Sequence, residues 1–257
     1  MTGARRGFGI AAATPESFIE ALASAAEDAK YSTFWVNDTP GSDGLALLGK
    51  AAAVTQDIRL GVGVIPLDRR SPEEIAMSIE AARIPADRLI VGVGSGGRFA
   101  GSLELVREGI ATLRALTSSQ IAIGALGTKM IALSGEIADA VLLNWLTPEW
   151  ALSSTETLRW DGAASTELVG YVRTALPVAH DALEVEASRY AAIPQYARHF
   201  EQMGVPAIGT CVLGESAAIQ AGLKAFEQHL DETVVRAIVA SQTFDAYFAL
   251  LQAARPV

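Results

Sequence analysis

Glycines at positions 92, 94 and 97, in Leu89-Ile-Val-Gly-Val-Gly-Ser-Gly-Gly97, have the G-x-G-x-x-G spacing with which a backbone closes on a pyrophosphate in dinucleotide folds. That chemistry needs a strand before the glycines, a helix after them, and an acidic residue about 20 positions on to hold a ribose hydroxyl. Leu89 to Val93 reads as a buried strand and Ser102 to Leu116 as a helix, but the next strand, Ile121 to Ala125, runs into Leu126-Gly127-Thr128 with no carboxylate. The dinucleotide reading is therefore disfavoured. Glycines after a strand also leave amides bare for a phosphate or a flat ring, and Gly127-Thr128-Lys129 opens a helix, where free N–H groups and the dipole favour an anion.

Other polar groups stand where apolar runs end: Asp38 followed by Thr39, the pair Arg69-Arg70, Asn144-Trp145, Arg173, and His180 as a candidate proton donor. Arg173 reads as a phosphate or carboxylate partner or as a surface ion pair, and Arg69-Arg70 as a solvated loop. His199 and His229 read as helix-surface residues, and the three histidines match no zinc spacing. A nucleophile elbow around Ser95 would need a glycine two residues earlier, where the sequence has Val93, and no P-loop or H-E-x-x-H is present.

Such residues need a scaffold that brings loop ends together. Short apolar runs alternate with helical stretches, giving eight expected strands: Phe8 to Ala12, Thr33 to Val36, Leu60 to Ile65, Leu89 to Val93, Ile121 to Ala125, Ala140 to Asn144, Leu168 to Thr174 and Val234 to Val239. Helix starts are marked by Thr14-Pro15-Glu16, Ser71-Pro72-Glu73-Glu74, Thr147-Pro148-Glu149 and Thr243. Eight strand-helix units in 257 residues predict a single (β/α)₈ barrel, with a doubly wound open sheet as the alternative. The long connection from 175 to 233 is expected to hold two helices, Leu183 to Met203 and Glu215 to Leu230.

Acidic residues outnumber basic ones 29 to 20, which argues against nucleic acid or an anionic membrane as partner. The lone Cys211, an N-terminal apolar patch too short for a signal peptide and the lack of a spanning run fit a soluble, cytoplasmic chain.

Taken in order, Phe34-Trp-Val-Asn-Asp38, Ile58-Arg-Leu-Gly-Val-Gly-Val-Ile-Pro-Leu67 with Ser71-Pro72, Arg88 to Gly96, Ile123-Gly-Ala-Leu-Gly-Thr-Lys-Met130, Ser134 to Trp145 and Val234-Val-Arg-Ala-Ile238 resemble the bacterial-luciferase-like flavin-dependent oxidoreductases, particularly the branch using coenzyme F420. The resemblance implies a (β/α)₈ barrel with F420, or alternatively FMN, across its C-terminal mouth, and hydride transfer to a small organic substrate. It implies a third-strand bulge with a non-prolyl cis peptide at Gly63-Val64, phosphate contacts at Gly94, Ser95, Gly96, Leu126, Gly127, Thr128 and Lys129, and further cofactor contacts at Asn144 and Arg173. Asp38 and His180 are the candidate catalytic residues. Thr39 stands where relatives carry a histidine, and the connections Ile84 to Asp87 and Thr117 to Gln120 are shorter than in relatives. Both departures keep a non-catalytic flavin-binding barrel as an alternative. Family habit implies a homodimer, and an FMN-dependent monooxygenase would need a separate reductase.

Overall fold

The computed structural model describes residues 4–98, 100–160 and 165–257. One parallel sheet is built from β1 (Arg5–Ile10), β2 (Thr33–Val36), β3 (Arg59–Pro66), β4 (Leu89–Gly94), β5 (Gln120–Ala125), β6 (Ala140–Asn144), β7 (Glu167–Ala175), β8 (Val212–Leu213) and β9 (Glu232–Ile238). Neighbours pair in chain order from β1 to β7, and β9 pairs with both β7 and β1. Eight strands therefore close into a barrel, while the two-residue β8 hangs on the end of β7 outside the ring. The β9–β1 pairing excludes the open sheet.

The barrel strands are almost wholly buried because parallel strands are covered on both faces, which is why they read as continuous apolar runs. β1 begins three residues before the expected Phe8 and ends two before Ala12. Its first residues are charged and paired: half-buried Arg5 reaches Glu167 at 2.7 Å and buried Arg6 reaches Glu227 at 2.5 Å. β9 likewise starts at Glu232, two residues before the expected Val234.

The helices are α1 (Ile19–Asp28), α2 (Gly44–Val54), α3 (Pro72–Ala82), α4 (Ser102–Leu116), α5 (Thr128–Ile137), α6 (Pro148–Trp160), α7 (His180–Ala191), α8 (Pro194–Met203), α9 (Ser216–Glu227) and α10 (Phe244–Ala253). Ser71 and Glu74 form a reciprocal capping box with Pro72 in the first turn of α3, and the Thr243 hydroxyl accepts from Ala246 N. Thr147 accepts from Trp150 N at 3.2 Å. Thr14 does not cap α1: its hydroxyl is buried against the Tyr247 hydroxyl at 3.0 Å. The helix expected over 183–203 is two, because Ile193 takes an extended conformation ahead of Pro194, whose ring disfavours a helical residue before it.

Inside the barrel, Trp35 fills the centre with Ile90, Leu142, Tyr171 and Val234 around it. Gly61 makes that possible, since a Cβ there would lie 2.2 Å from the Trp35 ring. The N-terminal end of the barrel is closed by Glu232, fully buried, whose carboxylate accepts from Trp35 Nε1 at 2.8 Å, Thr33 at 3.0 Å and Arg59 at 2.5 Å. Charge and hydrogen-bonding capacity at that end are spent on structure. The opposite, C-terminal end is where loops and strand ends leave polar groups for chemistry.

Candidate active site

Register between β3 and β4 slips between Val62 and Ile65, and within that bulge the Gly63–Val64 peptide is cis. The Val64 side chain, half-buried at the mouth, lies across β4 and β5. A Cβ on Gly94 would stand 3.1 Å from it and one on Gly124 2.9 Å, while at Gly92 an added Cβ would strike Val62 O at 2.4 Å. Gly92 and Gly94, which supply the dinucleotide-like spacing, are thus glycines because the β3 bulge leans on them. The bulge is held from the other side as well: Asn37 Nδ2 donates to Gly63 O at 2.5 Å, and Arg236 Nε donates to Asn37 Oδ1 at 3.0 Å.

The glycine loop after β4 has an occupant. Gly97 N donates to Asp68 Oδ2 at 2.9 Å, and a Cβ on Gly96 would lie 1.8 Å from Asp68 Oδ1, so a carboxylate of this chain sits where bare amides were expected to face a phosphate. Ser95 stays half-buried at the start of that loop.

Further along, the first turns of α4 and α5 converge on a cleft of about 540 Å³ lined by Gly101, Ser102, Leu103, Gly127, Thr128, Lys129 and Met130. Both helices start from glycine with no side-chain cap, so no side-chain acceptor competes for their first N–H groups. Nothing lies within 4 Å of where a Cβ on Gly127 would stand, and Lys129 is exposed beside it. Two helix dipoles, bare amides and a lysine make this an anion-binding geometry. Leu126 is half-buried just ahead of it.

Asp38 is buried, and its carboxylate is fully engaged: Arg69 donates at 2.6 Å, Arg70 at 3.1 Å and Gly44 N at 3.3 Å. Arg69 and Arg70 are therefore partners of Asp38 rather than a solvated loop. His180 stands exposed at the start of α7, with Asp181 and Glu184 of its own helix each 3.6 Å from the imidazole.

Arg173 is not a surface residue: it is 4% exposed, lies 3.6 Å over the Trp145 ring, donates to Glu186 at 3.1 Å and to Asn144 Oδ1. Burial pushes its guanidinium toward the neutral form, and Glu186 opposes that. Trp145, with Tyr190, Tyr196 and Phe200, forms an aromatic layer where α7 and α8 cover the mouth. His199 is buried in the same layer, not on a helix surface, its Nε2 2.7 Å from Trp145 O. Glu186 escaped the sequence reading, and Asn37 and Arg236 stood in the segments that carry the resemblance without a role of their own; the signal for Arg236 was a charge inside an apolar strand.

The fold and the site together define a closed parallel (β/α)₈ barrel with a bulged third strand and, at its C-terminal end, a cleft whose geometry suits an anion. Residues 3–102 match the model of the luciferase-like monooxygenase family. A Mycobacterium tuberculosis protein whose name assigns it coenzyme F420-dependent oxidoreductase activity is 36% identical over 84 residues, 32% of this chain and 24% of that protein. The match thus spans about a quarter of that relative's length. The whole barrel has the fold of the F420-dependent tetrahydromethanopterin reductase of Methanopyrus kandleri (TM-score 0.74, 15% identity, 98% of each chain). It also has the fold of an F420-dependent secondary alcohol dehydrogenase (0.76, 14%, 99% and 100%) and of the FMN-bound oxygenating constituent of a Pseudomonas putida diketocamphane monooxygenase (0.70, 13%, 98% and 96%).

Among the described residues, no group of three or more His, Cys, Asp or Glu is placed to hold a metal, and no helix is long and apolar enough to cross a membrane.

Proposed function

We propose that this protein is an oxidoreductase that uses a flavin-type cofactor, coenzyme F420 in preference to FMN, on a small organic substrate. The observation that carries the reading is the open cleft between the first turns of α4 and α5, beside the bulged β3 of the family-matched segment. The residues fit such a group: Gly127, Thr128 and Lys129 with Gly101 and Ser102 would hold its phosphate, and Val64 with Gly63 would support its ring. When bound, a deazaflavin supplies hydride transfer without oxygen chemistry. Asn37 and Arg236 fix the Gly63 carbonyl and so the shape of the support. Asp38 acts through Arg69 and Arg70 as a positioning residue, its carboxylate engaged on all sides, and His180 has no part in this reading. Asp68 fills the Gly96–Gly97 loop, which moves the phosphate assignment toward Gly127. The aromatic layer of Trp145, Tyr190 and Tyr196 excludes water from the substrate side.

The preference for F420 rests on the names of the mycobacterial relative and of two barrels of the same fold. The FMN-bound monooxygenase of the same fold favours the second reading, an FMN-dependent monooxygenase with a separate reductase. Fluorescence titration decides between them. Micromolar binding of F420 with none of FMN is the expected result, the reverse selects the monooxygenase, and binding of neither removes the cofactor assignment. A homodimer is part of the proposal and is read by sedimentation equilibrium.

A further inference from the structure

Arg173 and Arg236 are register partners on β7 and β9, at the mouth end of the barrel, and both are more than nine-tenths buried, at 4% and 7% exposure. Buried charges in proteins are paired, because the desolvation cost of an uncompensated ion is several kcal/mol. Here one carboxylate serves two guanidiniums: Glu186 accepts from Arg173 Nε at 3.1 Å and stands 4.0 Å from Arg236 Nη2. Asn144, Asn37 and the Ala237 carbonyl satisfy other N–H groups without supplying charge. Arg189, also within 3.5 Å of Glu186, adds positive charge to the same carboxylate. Among the described residues, Nη2 of each arginine donates no hydrogen bond, and the surplus of positive charge lies in a chain of net charge −9. Arg236 is also one residue removed, through Asn37, from the Gly63 carbonyl of the bulge.

We propose that the mouth between β7 and β9 is a carboxylate subsite, in which Nη2 of Arg173 and of Arg236 hold the anionic end of the substrate while Glu186 serves as the internal counter-ion in its absence. This rests on the oxidoreductase reading, to which it adds that the substrate is an organic acid. A carboxylate suits two guanidiniums because it offers four lone-pair sites in one plane. Glu186 competes with it, so the pocket is tuned to release its ligand.

The test titrates benzoate, with uncharged benzamide as control, into the purified full chain by calorimetry and by tryptophan fluorescence, Trp145 lying under Arg173 as a reporter. Benzoate saturates and benzamide does not. Arg236→Gln weakens benzoate about tenfold or more, as loss of a charge-assisted hydrogen bond requires. Arg236→Lys restores part of the affinity, and Glu186→Gln tightens it several-fold, an effect that a purely structural role for the network would not produce. Equal binding of benzoate and benzamide, no binding of either, or benzoate affinity indifferent to Arg236→Gln would overturn the subsite. F420 and FMN titrations on the same samples separate the two readings: flavin binding without benzoate binding removes the subsite alone, and benzoate binding without flavin binding removes the cofactor reading alone.

Discussion

Replacing Gly127 with aspartate should raise stability and weaken cofactor binding in the same molecule. Gly127 precedes α5 with φ −113° and ψ 159°, the extended conformation in which Ser71 caps α3, and space around its Cβ position is open. An aspartate there gains an N-cap hydrogen bond worth about 0.5–2 kcal/mol and favourable contact with the helix dipole. The same carboxylate stands in the cleft assigned to the phosphate. Two negative charges about 5 Å apart at an effective dielectric near 20 repel by about 3 kcal/mol, and after screening at the surface some 1.5–3 kcal/mol remains, a loss of about 10- to 100-fold in affinity. Gly127→Ala adds bulk without charge and should leave affinity nearly unchanged. Thermal unfolding and fluorescence titration of both variants give the answer. Unaltered affinity in Gly127→Asp, with the cap formed as judged by a raised melting temperature, would refute the placement of the phosphate.

Other outcomes follow from the same structure. Glu232→Gln leaves Arg59 and Arg5 with Glu167 as their remaining acid and should cost about 3 kcal/mol, lowering the melting temperature by roughly 6–12 °C; a change under 1 kcal/mol would contradict the buried network. Ser71→Ala removes the capping box of α3 and should cost about 1 kcal/mol in denaturant unfolding, with Ser71→Gly milder. Burial holds the His199 imidazole below its ordinary value, opposed by the Trp145 and Asn144 carbonyls. Its folded value therefore lies under that of the unfolded chain, near 6.5, so stability is fully present above that pH and declines as pH falls toward the folded value. His199→Gln should flatten the fall in unfolding free energy between about pH 7.5 and 5, and an identical slope in both proteins would exclude His199 as its source.

The barrel was legible because its strands are buried on both faces, leaving runs such as Leu89–Gly94 with no polar interruption. Legibility failed where charge was drawn inside. Arg5 and Arg6 hid the start of β1, and for Arg173 the sequence leaves an anion partner and a surface ion pair both open, since nothing local announces that α7 and α8 fold over its strand end. Gly127-Thr128-Lys129 was readable as an anion site because a glycine before a helix has a local meaning. The occupant of the other glycine loop was not: Asp68 lies 29 residues from Gly97, and Asn37 lies 199 from Arg236. The first depends on how the loops after β3 and β4 lie against each other and the second on barrel closure, and a single chain's periodicity carries no trace of either. The break at Pro194 was visible as a proline, but the apolar period continues across it and masked the stop.

The seat of Val64 on Gly94 and Gly124 ties three neighbouring strands into one unit of variation. A side chain at 124 would force Val64 to shift and one at 94 would crowd it, so a change at either position is felt at 64 and a larger side chain at 64 is felt at both. Anyone reshaping the mouth by mutagenesis should randomise the three positions together. A lineage drifting to a different ring support would move more readily by compensating pairs.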